Sequence, residues 1–337
     1  MNQNKTTRQI KALGLCSGGL DSILSGLVLK EQGIDVTWVS FETPFFDADN
    51  AKKAAKMTGI PLIVKDITPV YMEMMRAPHA GFGKNMNPCM DCHSLMFEQA
   101  GTMMKEMGFD FLFSGEVMGQ RPKSQTKNAL RYVEKNSGFD GYVVRPLSAK
   151  LLPETKAEQE GLVDREQLLD ISGRGRKEQM ALAKKFKIKD YPSPAGGCLL
   201  TDKGFSQRLR DLLYVQKTED PTQLRLLKYG RHFRLDEQTK LVVGRNRGEN
   251  KRIMNLYDPA CHIRLRHAEM SGPDALVYGS ASESALETAA RITAGYTKAK
   301  PGETSLVRIF EKEETREIEI ITPKSGEFHN LLIQTPT

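Results

Sequence analysis

Residues 13–26 read LGLCSGGLDSILSG, an apolar run broken by two glycines and an aspartate at the mouth of a helical pattern. This strand, loop and helix order constrains the fold more than any other stretch, because the same alternation continues downstream. KALGLC (Lys11 to Cys16), DVTWVSF (Asp35 to Phe41), PLIVKDI (Pro61 to Ile67), FDFLFSG (Phe109 to Gly115) and GYVVRP (Gly141 to Pro146) are short strand-like runs. Helical patterns at Asp21 to Gln32, Asp47 to Thr58, Asp91 to Met107 and Gln125 to Asn136 separate most of them. Strands alternating with helices imply a parallel sheet covered on both faces. The expected fold class is therefore α/β, a doubly wound parallel sheet over about the first 200 residues, with a second, smaller α+β domain behind it.

In a sheet of that kind ligands gather at the carboxyl ends of the strands. Four landmarks follow strand ends: the SGGLDS loop, ETPF after the second strand, the loop carrying Cys89 and Cys92, and GEVMGQ after the fourth. Glycines let the backbone of the first loop approach a ligand closely, and the N–H groups of the following helix favour anionic oxygens. Ser17 and Ser22 add hydroxyl donors. The aspartate is the informative member, because a carboxylate beside phosphates is repelled unless a divalent cation bridges the two. Asp21 is accordingly assigned to magnesium and pyrophosphate handling. A plain glycine-rich turn with an aspartate cap would explain Asp21 but not the paired glycines with flanking serines. No lysine follows the glycines, which excludes a Walker A loop.

The chain has 337 residues, room for two ordinary domains, with expected bounds 1–202 and 203–337 and a helical linker at the start of the second. Hydrophobic content is 39% and charged content 27%, and no apolar run reaches bilayer length. The opening MNQNKTTRQIK lacks the apolar core of a secretory signal, so residence in the cytoplasm is the expectation. Formal charge is +7, and Arg225 to Arg266 alone holds eleven Lys and Arg against four Asp and Glu. The excess is therefore local, which points to a basic surface facing a polyanion, with a solvated basic face as the plainer alternative.

Cys16, Cys89, Cys92, Cys198 and Cys261 make an odd count, which argues against a disulfide framework and for thiol chemistry or metal ligation. Cys89-x-x-Cys92 with Cys198 supplies three thiols, one short of the usual structural zinc site, and His93 would strain a tetrahedron as the fourth ligand. Three thiols suit a [4Fe–4S] cluster with one open iron, or equally a sulfur-handling pair with a bystander. Cys16 and Cys261 are expected to be structural, and the methionines of MEMM and MMKEM to be core. His79 and His93 are weak catalytic candidates on their own.

SGG-x-D-S after a first strand resembles the loop of the N-type ATP pyrophosphatases (PP-loop enzymes, adenine nucleotide alpha hydrolase-like), which split ATP between its α- and β-phosphates. FLFSGEVMGQRPKSQT resembles the TGE-x-x-GQ-x-x-SQT segment in the catalytic domain of the tRNA 4-thiouridine synthetase (ThiI), and Cys198 falls where that domain carries its catalytic cysteine. Cys89, Cys92 and Cys198 together are similar to the cysteine set of the iron–sulfur-dependent thiolation enzymes. The resemblance covers roughly residues 10 to 202. It implies ATP bound by Ser17, Gly18, Gly19, Leu20, Asp21, Ser22, Phe41, Gly115 and Gln120, with Mg²⁺ at Asp21. It further implies Cys198, Cys89, Cys92 and Asp21 as catalytic residues, with the three cysteines as iron–sulfur ligands. The synthetase's ferredoxin-like, THUMP and rhodanese regions have no counterpart, so another module is expected to hold the RNA. LVVGRNRGENKRIMNLY resembles the opening of the NFACT RNA-binding domain. That resemblance makes Arg245, Asn246, Arg247, Asn250, Lys251 and Arg252 phosphate and sugar contacts. Lys123, Lys127, Arg131 and Arg121 form a second basic strip, equally well read as a solvated helix face.

The implied function is an ATP-dependent tRNA sulfurtransferase. It adenylates a uridine carbonyl, then replaces the oxygen with sulfur from a cysteine persulfide or an iron–sulfur-bound sulfide. Implied partners are tRNA and a sulfur donor, either a cysteine desulfurase or free sulfide, with no membrane and with a homodimer left open. The rivals are an amide-forming or otherwise adenylating enzyme of the same superfamily, and an RNA-binding quality-control scaffold.

Overall fold

Five strands of the first half pair side by side in the order β3-β2-β1-β4-β5, every neighbouring pair parallel. In chain order the elements are β1 (Lys11–Leu15), α1 (Leu20–Glu31), β2 (Asp35–Glu42), α2 (Asp49–Thr58), β3 (Leu62–Asp66), α3 (Thr68–Arg76), α4 (Cys89–Met107), β4 (Phe111–Ser114), α5 (Lys127–Asn136), β5 (Val143–Val144), α6 (Lys156–Gln159) and α7 (Lys177–Lys185). The computed structural model describes residues 8–193, 198–279 and 281–333. The chain divides into two units, Met1–Cys198 and Leu199–Thr337.

Parallel pairing requires a crossover between strands, and the helices supply it. Because both sheet faces are covered, the strands read as continuous apolar runs: all four residues of β4 are buried. α1 is an inner helix, burying Leu20, Ile23, Leu24, Val28 and Leu29. Strand order reverses at β1, whose neighbours are β2 and β4, so the loops after β1 and β4 flank the switch point where open α/β sheets bind ligands.

Two local outcomes differ from the sequence expectation. α3 was not anticipated as a helix; Pro69 stands in its first turn, and Tyr71, Met72 and Met75 form its buried side. The MEMM methionines Met72 and Met75 are core, as expected, whereas Met107 of MMKEM is exposed. α4 begins at Cys89 rather than Asp91, with Pro88 at the N-cap, so both cysteines of the CxxC sit in its first turn and not in the preceding loop.

The second unit contains α8 (Lys203–Arg210), which runs into a single π turn (Asp211–Val215), then α9 (Pro221–Leu226), β6 (Arg231–Arg234), β7 (Lys240–Val243), α10 (Arg247–Met254), β8 (His262–His267), β9 (Ala275–Tyr278), α11 (Glu283–Gly295), β10 (Thr304–Glu311) and β11 (Glu314–Ile321). Its strands form one antiparallel sheet in the order β11-β10-β8-β9-β7-β6. α11 packs Leu286, Ala289, Ala290 and Ile292 against Leu241, Val243, Leu265 and Val307. Leu226 of α9 and Ile253 of α10 pack with Val242, Leu276 and Tyr278.

The expected helical linker is instead part of this unit. Asp211 accepts hydrogen bonds from Arg234 of β6 (Nε to Oδ1, 3.1 Å) and lies 3.2 Å from the Nζ of Lys240 on β7, a lysine with no solvent exposure. A carboxylate shared by two largely buried cations fastens the helical segment to the sheet edge. Among the described residues no helix is long and apolar enough to cross a membrane.

Candidate nucleotide and thiol site

The glycine loop after β1 is shaped by close approach. Gly18 adopts φ +71°, and a β-carbon there would stand 2.1 Å from the backbone of Asn50 at the start of α2. Gly115, just past β4, would place a β-carbon 2.5 Å from the backbone of Asp21 and Ser22, so the two switch-point loops touch only because this residue has no side chain. Ser22 is buried, and its hydroxyl donates to the Gly19 carbonyl at 2.8 Å; it braces the loop. Ser17 is exposed, and its Oγ accepts from the Gly19 N–H at 3.4 Å. Gly19 is the N-cap of α1 and offers no side chain to it, so the first-turn N–H groups are left for an anionic ligand. Leu20 and Phe41 are core side chains, 1% and 4% exposed, and form wall rather than polar contacts.

Asp21 sits directly beneath this loop. One carboxylate oxygen accepts from the Gln120 amide at 3.1 Å, and the other, Oδ1, is buried with no hydrogen-bond partner. Burial raises its carboxyl above the ordinary range, against the Gln120 hydrogen bond and the nearby Arg176 and Arg121 guanidinium groups. A buried carboxylate oxygen without a partner is costly unless a cation or donor meets it, so this residue fits a divalent metal. Arg121 thus reaches toward Asp21. Arg131, from the same basic strip, is ion-paired with Asp140, while Lys123 and Lys127 are exposed.

Sequence reading missed Glu116, which follows Gly115. Its carboxylate accepts from Arg145 Nε at 3.0 Å, from Ser114 Oγ at 3.2 Å, and meets His93 Nδ1 at 3.0 Å. Arg145 also donates to Glu134 at 2.7 Å. Burial alone would raise the Glu116 carboxyl, but Arg145 and His93 outweigh it and hold it at about 2. This buried carboxylate ties the first turn of the CxxC helix, through His93, to the loop that packs on Asp21. His93 is therefore not the isolated histidine its sequence context suggested. The signal that could have found Glu116 was an acidic residue next to a glycine at a strand end.

The thiols gather around one tyrosine. The buried Tyr71 hydroxyl is hydrogen-bonded to Cys92 and lies within electrostatic reach of Cys89 and Cys198 as well. Burial pushes the Cys92 thiol up to about 12, with Tyr71 opposing and Cys198 and Cys89 adding to the rise. Cys89 receives a hydrogen bond from the Asn87 amide at 3.3 Å. Cys198 is exposed, as is Cys261 of the second unit. Cys16 is buried, and burial raises its thiol to about 11, in keeping with a structural role. The donor chemistry of Cys89, Cys92 and Cys198 suits iron and sulfur. Their arrangement does not, since among the described residues no three His, Cys, Asp or Glu side chains are grouped to hold a metal ion.

In the second unit the basic residues divide into two sets. Arg245 is paired with Glu249, whose carboxylate also accepts from the Gly230 and Arg245 N–H groups at 3.0 and 3.1 Å. Asn246 caps α10 by accepting from Glu249 N–H at 3.0 Å, and Asn250 Oδ1 is buried. These three residues hold the turn. Arg247, Lys251 and Arg252 are exposed on α10, Arg252 lying over the Tyr229 ring at 5.5 Å.

A parallel sheet of order 3-2-1-4-5, with an uncapped glycine loop at its switch point and an aspartate beneath, defines a PP-loop ATP pyrophosphatase-like domain. Residues 7–158 match the family described as thiamine biosynthesis protein (ThiI), and residues 230–330 match the NFACT protein RNA binding domain. The chain thus joins a ThiI-type PP-loop domain to an NFACT-type domain. A tRNA-specific 2-thiouridylase MnmA 2 of Thermoanaerobacter sp. (strain X514) is 27% identical over 219 residues, 58% of this chain and 56% of the relative. The tRNA-specific 2-thiouridylase MnmA of Sulfurimonas denitrificans is 33% identical over 112 residues, 30% of this chain and 33% of the relative. The chain therefore spans about half or less of the length of these relatives. Among solved structures, a predicted subunit of tRNA methyltransferase from Methanocaldococcus jannaschii aligns at 18% identity with a TM-score of 0.34, covering 52% of this chain and 76% of that one.

Proposed function

We propose that this chain is an ATP-dependent tRNA sulfurtransferase, and the observation that carries the reading is the orphaned Oδ1 of Asp21 beneath an uncapped, anion-ready helix start. The uridine carbonyl oxygen attacks the α-phosphorus of ATP, the bond to pyrophosphate breaks, and AMP becomes the leaving group that the bare oxygen is not. Mg²⁺, held by Asp21, supplies charge neutralisation for the phosphates. The α1 N–H groups and Gly19 backbone orient the anion, and Gln120 fixes the Asp21 carboxylate so that Oδ1 faces the phosphates.

Sulfur enters from a persulfide on Cys198. Its outer sulfur bonds to the ring carbon and AMP departs with the oxygen. Cys89 then cleaves the remaining S–S bond, leaving a Cys89–Cys198 disulfide that a thiol reductant must reopen before the next turnover. A cysteine desulfurase or free sulfide reloads Cys198. Cys92, whose thiol stays protonated, is a poor nucleophile at neutral pH. The arrangement of the thiols supplies no step through an iron–sulfur cluster.

The exposed Arg247, Lys251 and Arg252 of α10 serve as phosphate contacts for tRNA, whereas Arg245, Asn246 and Asn250 build the turn that presents them. The test is a comparison of thionucleosides in tRNA from cells with and without the chain, followed by reconstitution with ATP, Mg²⁺ and sulfide. One thionucleoside missing from the deletion and restored by the protein is expected, which also decides between 4-thio and 2-thio products. An unchanged set of thionucleosides overturns the reading. Iron measured in anaerobically purified protein decides the sulfur route: iron lost on substituting Cys89, Cys92 and Cys198 would replace the persulfide with a cluster.

A further inference from the structure

α7 lies beyond the residues that match the ThiI family, yet its first turn faces the nucleotide loop. Arg176 is its N-cap and Gln179 stands one turn in, and both neighbour Asp21. Gln179 is 0% exposed, and neither its amide nitrogen nor its amide oxygen has a hydrogen-bond partner. Arg176 Nε is likewise buried without one, and no side chain caps the helix. A guanidinium near a carboxylate ordinarily closes into a bidentate pair. Arg176 and Asp21 are within electrostatic reach and form no ion pair among the described residues. An unpaired arginine nitrogen, a buried amide with both ends unmet and an orphaned carboxylate oxygen in one place make a poor core and a good binding site.

We propose that the start of α7 is an anion subsite that takes the β- and γ-phosphates of ATP and then the departing pyrophosphate. This rests on the assignment of the Asp21 loop to ATP and extends it to a second helix. The guanidinium fork matches phosphate oxygens, the Gln179 amide nitrogen adds a neutral donor, and the uncapped N–H groups of α7 add a third set. The negative Asp21 on the other side repels a bare phosphate, so the subsite selects a polyphosphate that arrives with a divalent cation.

Calorimetric titration of the full chain with inorganic pyrophosphate, with and without Mg²⁺, tests this. Binding is expected only with Mg²⁺. Arg176→Ala weakens it by about tenfold or more, as loss of a charge-assisted contact does. Gln179→Leu weakens it several-fold while the ligand-free protein melts at or above the wild-type temperature, because an unmet amide has been removed. Arg176→Lys falls between, and Lys184→Ala, at the exposed far end of the same helix, leaves binding unchanged. Wild-type affinity in both Arg176→Ala and Gln179→Leu overturns the subsite. So does Gln179→Leu melting well below wild type, which would make the amide structural. If the wild-type chain binds neither ATP nor pyrophosphate, the adenylation reading itself falls. If it binds both and the variants match it, only the subsite is lost.

Discussion

Each unit buries one three-part charge network, and the two are inverse images. In the first, Arg145 lies between two carboxylates, Glu116 and Glu134. In the second, Asp211 lies between two cations, Arg234 and Lys240. The first is wired outward, since Glu116 holds His93 beside the CxxC and follows the glycine that packs on Asp21. The second is wired inward, joining a helix end to two strands with no ligand-facing member. Buried ion pairs are weak evidence for stability as such, because desolvation offsets much of their attraction. What differs is what depends on their geometry: a site in one case, an architectural joint in the other.

Breaking the networks separately tests that contrast. Arg145→Met leaves two buried carboxylates facing each other and should cost the first unit about 4 kcal/mol. Amide exchange, followed peptide by peptide, should show the loss in β4 and α5 and none in the second sheet. Asp211→Asn strands two cations and should cost about 3 kcal/mol, read as faster exchange across residues 203–226 with thiolation chemistry on a minimal RNA unchanged. Loss of ATP binding in Asp211→Asn would collapse the distinction between the two networks.

The networks also differ in their response to acid. The folded Glu116 carboxyl is held at about 2, below the ordinary 4.5. Its contribution is therefore fully present above pH 4.5 and is lost as pH falls toward 2. Melting of the first unit, followed by its single tryptophan Trp38, should decline across that window, and Glu116→Gln should flatten the decline. A smaller effect concerns the thiols. At pH 8, iodoacetamide should label Cys198 and Cys261, which are exposed, and spare Cys16 and Cys92, whose thiols burial raises to about 11 and about 12. Peptide mass spectrometry reads the order of labelling, and rapid modification of Cys92 would contradict its burial. Last, charge reversal at Lys251 or Arg252 should weaken tRNA binding by several-fold and reduce its salt dependence by about one counterion per site. Reversal at Arg245, already paired with Glu249, should instead act through the turn.

The parallel sheet was legible because its signals are local: apolar runs of strand length, helical spacing between them, and glycines where loops turn. The SGGLDS loop and the CxxC announce themselves by residue type in the same way. Glu116, Arg176 and Gln179 do not. Their meaning lies in what they meet across long sequence separations, and an ordinary Glu or Gln within a helix or loop carries no mark of being buried. Asn246 and Asn250 erred in the opposite direction. As polar residues among arginines they read as ligand contacts, whereas their amides are committed to the turn itself. The linker was misplaced for a related reason: helical periodicity in residues 206–216 shows that a helix forms, but only the pairing of Asp211 with Arg234 and Lys240 shows where it belongs.

The uncapped start of α1 has a thermodynamic consequence. A helix whose first turn lacks a side-chain acceptor is less stable alone than with an anion seated there. Anything that binds only the folded state raises the free energy of unfolding in proportion to the logarithm of its concentration above its dissociation constant. Nucleotide occupancy and the thermal stability of the first unit are therefore two measures of a single equilibrium.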